Sequence, residues 1–231
     1  MIVVTGGTKG IGRAIVRKFA SEGHAVATCA RKLLDLVALQ KEIKGEFGVD
    51  VFVQSGDMAQ KEDVKTFVEF IERIGQPVDI LINNTGVFLP GLIIEEPEGA
   101  LEQQIETNLY SAYYLTRGLL PLMLTNKNGH IFNIASIASF MAYSNGGSYA
   151  ISKHALLGLS RGLRDELKDK NIRVSTVMPG ATYTASWEGV PIEEERLMPA
   201  EDIAEVVFSS WSLTPRSVVE DIVIRPQLGD L

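Results

Sequence analysis

Two stretches of this chain combine residue types that can do chemistry. In Tyr149-Ala-Ile-Ser-Lys153 a phenol and an ammonium stand four positions apart, so on a helix they share one face, one turn from each other. A free phenol, with a pKa of about 10, is a poor base near neutrality. A fixed cation beside it lowers that value by stabilising the phenolate. A tyrosine so placed can exchange a proton with a carbonyl or alcohol oxygen. On spacing alone such a pair is more often a feature of a helix surface, so the surrounding residues must carry the assignment.

The second stretch is Thr5-Gly6-Gly7-Thr8-Lys9-Gly10-Ile11-Gly12, between a short apolar run and a helical pattern bearing Ile11, Ile15, Val16 and Phe19. The order strand, glycine turn, helix makes a glycine motif informative. Glycines let the backbone turn sharply and approach a ligand, and a helix start offers unpaired N–H groups to a pyrophosphate. The spacing Gly6-x-x-x-Gly10-x-Gly12 has more glycines than one turn needs. It differs from the usual G-x-G-x-x-G fingerprint and lacks the Gly-Lys-Ser/Thr ending of a triphosphate loop, so a dinucleotide is favoured over ATP.

NAD sites place an acidic residue about 20 positions further on, where it holds the ribose 2′-OH. Here the second strand ends in Cys29-Ala30-Arg31-Lys32, with no carboxylate to repel a 2′-phosphate. Arg31, Lys32 and the loop residue Lys9 could each neutralise one. Read as solvated charge instead, Arg31 and Lys32 sit at a helix start, where the dipole disfavours cations. The balance points to NADP(H).

Other constellations fare worse. Ser136, His154 and Asp165 have the residue types of a hydrolase triad, but His154 follows Lys153 on a helix and points about 100° away from it. A lone Cys29, with histidines only at 24, 130 and 154, offers neither a disulfide nor a zinc spacing. His24 and His130 open strands and read as structural or solvent-facing. Phe88, Tyr143, Trp187 and Met198 could line an apolar pocket, although each alone fits simple packing.

A length of 231 residues, 45% apolar and 22% charged, is that of one globular domain. With 22 basic against 29 acidic residues, a net charge of −7 and no basic run, nucleic acid is not an expected partner. No apolar run approaches the roughly 18 residues that span a bilayer, and glycines are reached by Gly6 without a basic leader. The expectation is a cytoplasmic protein with no membrane partner.

Strand patterns occupy Ile2–Thr5, Ala25–Cys29, Val49–Gln54, Ile80–Asn83, His130–Ser136, Arg173–Met178 and Asp221–Arg225, several apolar on both faces as a buried parallel sheet requires. Helical patterns fill 11–22, 32–46, 61–74, 96–125, 148–169 and 200–213, with Pro121 expected to perturb or end the fourth. In the third, Val64, Phe67, Val68 and Ile71 form one stripe. The alternation predicts an α/β fold, a Rossmann-type doubly wound parallel sheet of about seven strands in a single domain over 1–231. The least regular segment, 180–199, carries two prolines and the run Glu193–Glu195. It reads as a solvated loop or, because it follows a strand's carboxyl end, as a substrate-covering lid.

Taken in order, the Thr5–Gly12 loop, Asp57 after the third strand, Asn83-Asn84-Thr85-Gly86 after the fourth, Asn108, Ser136, Tyr149-x-x-x-Lys153 and Pro179-Gly180 resemble the short-chain dehydrogenase/reductase family over nearly the whole chain. The resemblance implies that Gly6, Gly10 and Gly12 admit a pyrophosphate, with Thr8, Lys9 and Ile11 around it and Arg31 at the 2′-phosphate. It puts Asp57 and Met58 at the adenine, Asn83 as a brace between central strands, and Gly86 close to the cofactor. Tyr149 would be the general acid in reduction and the base in oxidation, and Ser136 would hydrogen-bond the substrate oxygen. Lys153 would bond the nicotinamide ribose and lower the tyrosine pKa, while Asn108 would hold a water that relays protons. Pro179 and Gly180 would pass near the carboxamide, with Thr184 a further contact. Thr85 stands where many relatives have Ala, and 180–199 is a modest substrate cover.

Within the family the chain is most similar to carbonyl reductases of the 3-oxoacyl-carrier-protein reductase or sepiapterin reductase kind. The implied activity is NADP(H)-dependent hydride transfer between the nicotinamide and a carbonyl or secondary alcohol. An acyl-carrier-linked substrate would need a basic patch, for which Arg117, Lys127, Arg161 and Arg164 are candidates. Relatives commonly form dimers or tetramers through the helices at 96–125 and 148–169. Leu156, Leu159 and Leu163 fit such an interface or the core equally. The contrasting reading is a non-catalytic dinucleotide-binding sensor or scaffold, which would have lost Tyr149, Lys153 or Ser136; all three are present.

Overall fold

The computed structural model describes residues 1–126, 128–184, 187, 189 and 191–230. The seven strands are β1 (Ile2–Thr5), β2 (Val26–Ala30), β3 (Val51–Ser55), β4 (Ile80–Asn83), β5 (Gly129–Ile134), β6 (Ile172–Pro179) and β7 (Asp221–Ile224). They pair in parallel throughout, in the order β3-β2-β1-β4-β5-β6-β7. Parallel neighbours cannot be joined by hairpins, so each connection crosses over the sheet. The crossovers carry α1 (Gly10–Ser21), α2 (Leu33–Phe47), α3 (Lys61–Ile74), α4 (Ala100–Ile105), α5 (Ser111–Asn126), α6 (Gly147–Leu167) and α7 (Ala200–Trp211).

Strand alternation divides the apolar side chains between two cores. Ile2 and Val4 of β1, with Ile80 and Ile82 of β4, pack under α1 and α7 against Ile15, Phe19, Ile203 and Val207. Val3 and Leu81 point the other way, toward Phe67 and Ile71 of α3 and Leu115 and Leu119 of α5. In α3, Val64, Phe67 and Ile71 are buried and Val68 packs beside them, as the stripe predicts. Burial on both faces removes the central strands from water and holds the sheet rigid. Every strand's carboxyl end lies along one edge, and chain order reverses between β1 and β4, which opens a crevice there.

The long helical pattern over 96–125 is not one helix. It begins at Ala100, widens into a π segment at Glu106–Tyr110 and resumes as α5. Pro121 neither ends nor breaks α5, which continues to Asn126. The proline forfeits one ladder bond, while fully buried Leu119 and Met123 hold the helix to the sheet on both sides. The irregularity falls instead at Asn108, whose side chain bonds outside its own helix. Leu156 and Leu163 are buried within the chain's own cores, and Leu159 packs partly against them. Among the described residues no helix is long and apolar enough to cross a membrane.

Under the amino end of the sheet His130 is fully buried and stacked on Phe132 with ring centroids 3.9 Å apart. Its Nε2 lies 2.7 Å from Ser175 Oγ, and that hydroxyl donates to Val219 O. The serine proton is thus committed, so Nε2 carries the imidazole hydrogen and donates. Burial, aided by Arg173, pushes the pKa of His130 down to about 2. An unfolded chain takes up this proton near pH 6.5 and the folded chain does not. Stability is therefore lost as pH falls below about 6.5. Thermal melts of the parent should decline between pH 7 and pH 5, and His130→Gln, which keeps a donor for Ser175 without a titrating ring, should flatten that decline. Parallel slopes would refute the assignment.

Candidate active site

The glycine loop crosses the crevice between β1 and β4. Gly6 and Gly10 have φ of +68° and +49°, in the left-handed region that side chains avoid. Gly12 is required for a different reason: a Cβ there would lie 2.3 Å from Gly6 O and 2.5 Å from Asn84 Nδ2. The loop opens α1, whose N-cap residue Lys9 makes no side-chain capping bond and whose first turn holds no acid. Helix N–H groups left uncapped beside a side-chain-free cradle fit a dinucleotide's pyrophosphate. Lys9 is exposed, Thr8 and Ile11 are half-buried, and Thr184 comes over the loop close to Gly10.

Hydrogen bonds weld this loop to the one after β4. Thr5 Oγ1 accepts from the backbone N–H of both Asn84 and Thr85 at 2.9 Å, and Asn84 Nδ2 donates back to Thr5 O at 2.8 Å. Neither role was readable from spacing. Asn83 braces β4 as expected: its Nδ2 donates to Asn133 Oδ1 of β5 at 2.8 Å and to Thr116 Oγ1 of α5 at 3.0 Å. Asn133 continues the chain to Ser160 Oγ of α6 at 2.8 Å. The brace thus runs from the sheet into the helix bearing Tyr149 and Lys153.

Ser136, Tyr149 and Lys153 meet at the carboxyl edge of β5. Ser136 caps a short 3-10 turn, its Oγ accepting from Ala138 N at 3.1 Å, which leaves its proton free to be donated elsewhere. The Tyr149 phenol is in hydrogen-bond reach of Ser136, and Phe88 packs edge-on to its ring at 4.9 Å. Lys153 is buried; Nζ donates to Ile134 O at 3.0 Å and stands 5.7 Å from the Tyr149 ring centroid. Burial pushes the phenol up to about 12, partly offset by the bond to Ser136, and pushes the ammonium down to about 8. Burial, and not the lysine, is the largest influence on the phenol here. Both groups are withdrawn from water, which penalises each charged form, and the ammonium is turned to a carbonyl and the ring face.

Asn108 sits behind this trio. Its Oδ1 accepts from Val87 N at 2.7 Å, and its Nδ2 donates to Val87 O at 3.0 Å and Ser152 Oγ at 2.9 Å. The amide's two donors are committed to holding the β4 loop and α6 together. A Cβ on Gly86 would lie 3.3 Å from Asn108 Oδ1 and 3.4 Å from Lys153 Nζ, which places Gly86 at the site.

The remaining residues fall around this centre. Arg31 and Lys32 are exposed just beyond β2. Asp57 Oδ1 accepts from Ala59 N in a turn after β3, and Met58 is buried in the core beneath, leaving only its backbone for a ligand. Pro179 ends β6, and Gly180 N donates to Ile224 O. The 180–199 segment is tied at its base, where Tyr183 N donates to Met198 O and Met198 N to Ala181 O. Met198 is buried in the core and so is not a pocket wall, whereas Phe88 and Tyr143 are exposed at the site's mouth. Trp187 is half-buried, its backbone N–H donating to Thr184 O. The four cations suggested for a carrier-protein patch have these surroundings. Arg161 and Arg164 pair with Asp221 and Glu220, Arg117 bonds the Tyr113 hydroxyl, and Lys127 lies outside the described residues.

The weld at Thr5 has a measurable consequence. Thr5→Val deprives two N–H groups of their shared acceptor and should cost about 1–3 kcal/mol, read as a lower urea midpoint with an unchanged slope. Thr5→Ser, which keeps the hydroxyl, should recover most of it. A Thr5→Val midpoint equal to the parent's would show that the hydroxyl carries no such weight.

Comparison with known proteins agrees with this geometry. The family profile described as short chain dehydrogenase matches residues 1–195. Sepiapterin reductase of Chlorobaculum tepidum is 33% identical over 240 aligned positions, which cover 100% of this chain and 98% of that protein. An alcohol dehydrogenase from the archaeon Thermococcus sibiricus, complexed with 5-hydroxy-NADP, superposes with a TM-score of 0.93 at 27% identity over 100% of this chain and 97% of its own. L-sorbose reductase from Gluconobacter frateurii, complexed with NADPH and L-sorbose, superposes with a TM-score of 0.88 at 28% identity over 97% and 94%. With its Rossmann-type sheet, its glycine cradle and the Ser136, Tyr149 and Lys153 cluster at one edge, the chain belongs to the short-chain dehydrogenase/reductase family of NAD(P)-dependent oxidoreductases.

Proposed function

We propose that the protein is an NADP(H)-dependent carbonyl reductase, with Tyr149 as the proton donor. The observation that carries this reading is the convergence of Ser136, Tyr149 and Lys153 beside the glycine-lined crevice. When bound, the reduced nicotinamide supplies the hydride. Ser136, in reach of the phenol, orients the substrate oxygen and stabilises the negative charge that develops there. Tyr149 then delivers a proton to that oxygen. A phenol pushed up to about 12 keeps its proton at neutral pH, as the donor in a reduction must. Lys153, whose Nζ donates to Ile134 O, would bond the nicotinamide ribose of a bound cofactor; Asn108 keeps the β4 loop and α6 in register.

The preference for NADP(H) rests on Arg31, with Lys9 and Lys32 nearby in sequence to the cradle and the β2 end. Arg31 is exposed and follows β2 without an acidic neighbour, so it is available to a 2′-phosphate. Asp57 and Met58 would meet the adenine, Pro179 and Gly180 the nicotinamide carboxamide, and Thr184, close to Gly10, the pyrophosphate or the carboxamide. The substrate is a neutral ketone or aldehyde, or the corresponding alcohol, entering past Phe88 and Tyr143 under the 180–199 segment. We place the pairing of chains, as a dimer or tetramer, on the outer surface of α5 and α6, where Tyr113 and Ile151 are exposed.

Two experiments test this. NADPH oxidation against a ketone panel including 2,3-butanedione and phenanthrenequinone should show turnover that Tyr149→Phe lowers by about 10²–10⁴-fold while leaving NADPH affinity near the parent value. Turnover that survives Tyr149→Phe would remove the phenol from the reaction. Separately, Arg31→Asp should weaken NADPH by more than about tenfold and NADH little, by fluorescence titration. Equal losses for the two cofactors would take Arg31 out of the 2′-phosphate site.

A further inference from the structure

The amino end of α6 has no cap of its own. Its N-cap residue is Gly146, no side chain of that residue bonds the helix, and its first turn contains no acid. The missing acceptor comes from 52 positions earlier in the chain. Glu96, half-buried in the loop between β4 and α4, accepts from Ser148 N through Oε1 at 2.8 Å and from Ser148 Oγ through Oε2. A carboxylate on a helix N-terminus is favoured by the dipole as well as by charge-assisted hydrogen bonds.

The fit around this contact is close. Gly147 has φ of +37°, and a Cβ there would lie 2.1 Å from Glu96 Oε1 and 2.5 Å from Gly91 O. Gly91 N in turn donates to Asn145 O at 3.1 Å. The loop is secured at its other end by Asn108 on Val87 and by Gln104 Oε1 on Leu89 N, and between these ties it brings Phe88 against the Tyr149 ring. Ser148 immediately precedes Tyr149, so whatever holds its amide and hydroxyl sets the base from which the phenol projects.

We propose that Glu96 is a positioning residue, clamping the first turn of α6 so that the Tyr149 hydroxyl meets Ser136 and the substrate oxygen. This rests on the assignment of Tyr149 as proton donor. A displacement of about 1 Å at a reacting group can cost about a hundredfold in rate, which is the scale expected if the clamp opens. Glu96 stands apart from the glycine cradle, so cofactor affinity is expected to stay unchanged.

The test uses the full chain loaded with NADPH and whichever panel ketone is reduced in a Tyr149-dependent manner. Glu96→Ala should lower kcat by roughly ten- to a hundredfold, with NADPH affinity within about twofold of the parent. Glu96→Gln keeps an acceptor for Ser148 N and should regain most of the loss, whereas Glu96→Asp, one methylene short, should lose several-fold. Hydrogen exchange, which needs no substrate, should show faster exchange over 147–152 in Glu96→Ala alone. If Glu96→Ala does not fold, the Asp and Gln pair supplies the same comparison. Parent kcat in Glu96→Ala, equal losses in the Ala and Gln variants, or unchanged exchange at Ser148 would each overturn the clamp. Failure is separable from that of the donor assignment. If Tyr149→Phe abolishes turnover while Glu96→Ala does not, only the clamp falls; if Tyr149→Phe retains turnover, both fall.

Discussion

Thr5 holds together the two halves of this molecule at the point where chain order reverses. Its one hydroxyl oxygen serves two backbone amides across the crevice, and its carbonyl takes the Asn84 side chain in return. Without such a tie, a parallel sheet split at its switch point would present two independent loops to a ligand. With it, the glycine cradle and the Asn83–Gly86 turn become one surface. The Gly12 backbone can then approach Gly6 O so closely that no side chain fits between them. Glycine and threonine are therefore coupled: the small residues admit a charged ligand, and the hydroxyl stops the loop from closing into the space they leave.

A second polar line extends this rigidity to the chemistry. Buried amides and hydroxyls are costly unless partnered. The chain from Asn83 through Asn133 to Ser160 links strand to strand to helix inside the fold, and Ser160 finishes on Leu156 O. Asn108 makes the corresponding link one layer nearer the site, to Val87 and Ser152. Both lines end on α6, at either side of Lys153. A dispersive core would hold that helix against the sheet but would let it slide; directional bonds at two levels fix its register.

Much of the fold was legible because its signals are local. Every strand run predicted from apolar patterning lies within about two residues of an observed one, and the α3 stripe is buried as its period requires. The cradle was equally legible, since a glycine spacing between strand and helix constrains backbone path directly. What spacing could not show were contacts between distant segments. The Thr5–Asn84 weld joins residues 79 apart, and the Ser148–Glu96 contact joins residues 52 apart. The π segment at Asn108 was hidden for the same reason, because its cause is a side chain drawn to Val87 and Ser152 and not a helix-breaking residue. Pro121 carried the local signal for a break, and packing of Leu119 and Met123 overrode it. Met198, legible only as an apolar residue in an irregular loop, proved to belong to the core.

The Tyr149–Lys153 pair shows how burial reshapes a motif's chemistry. Four-residue spacing promises an ammonium beside a phenol, and in water that neighbour would favour phenolate. Here both groups are enclosed by the fold, and removing water from each opposes its charged form. The phenol gains affinity for its proton and the ammonium loses some of its own. The two shifts move both groups toward their neutral forms. Enclosure thus acts on the pair alongside proximity, and each group's proton is governed by the water withdrawn from it as well as by its neighbour.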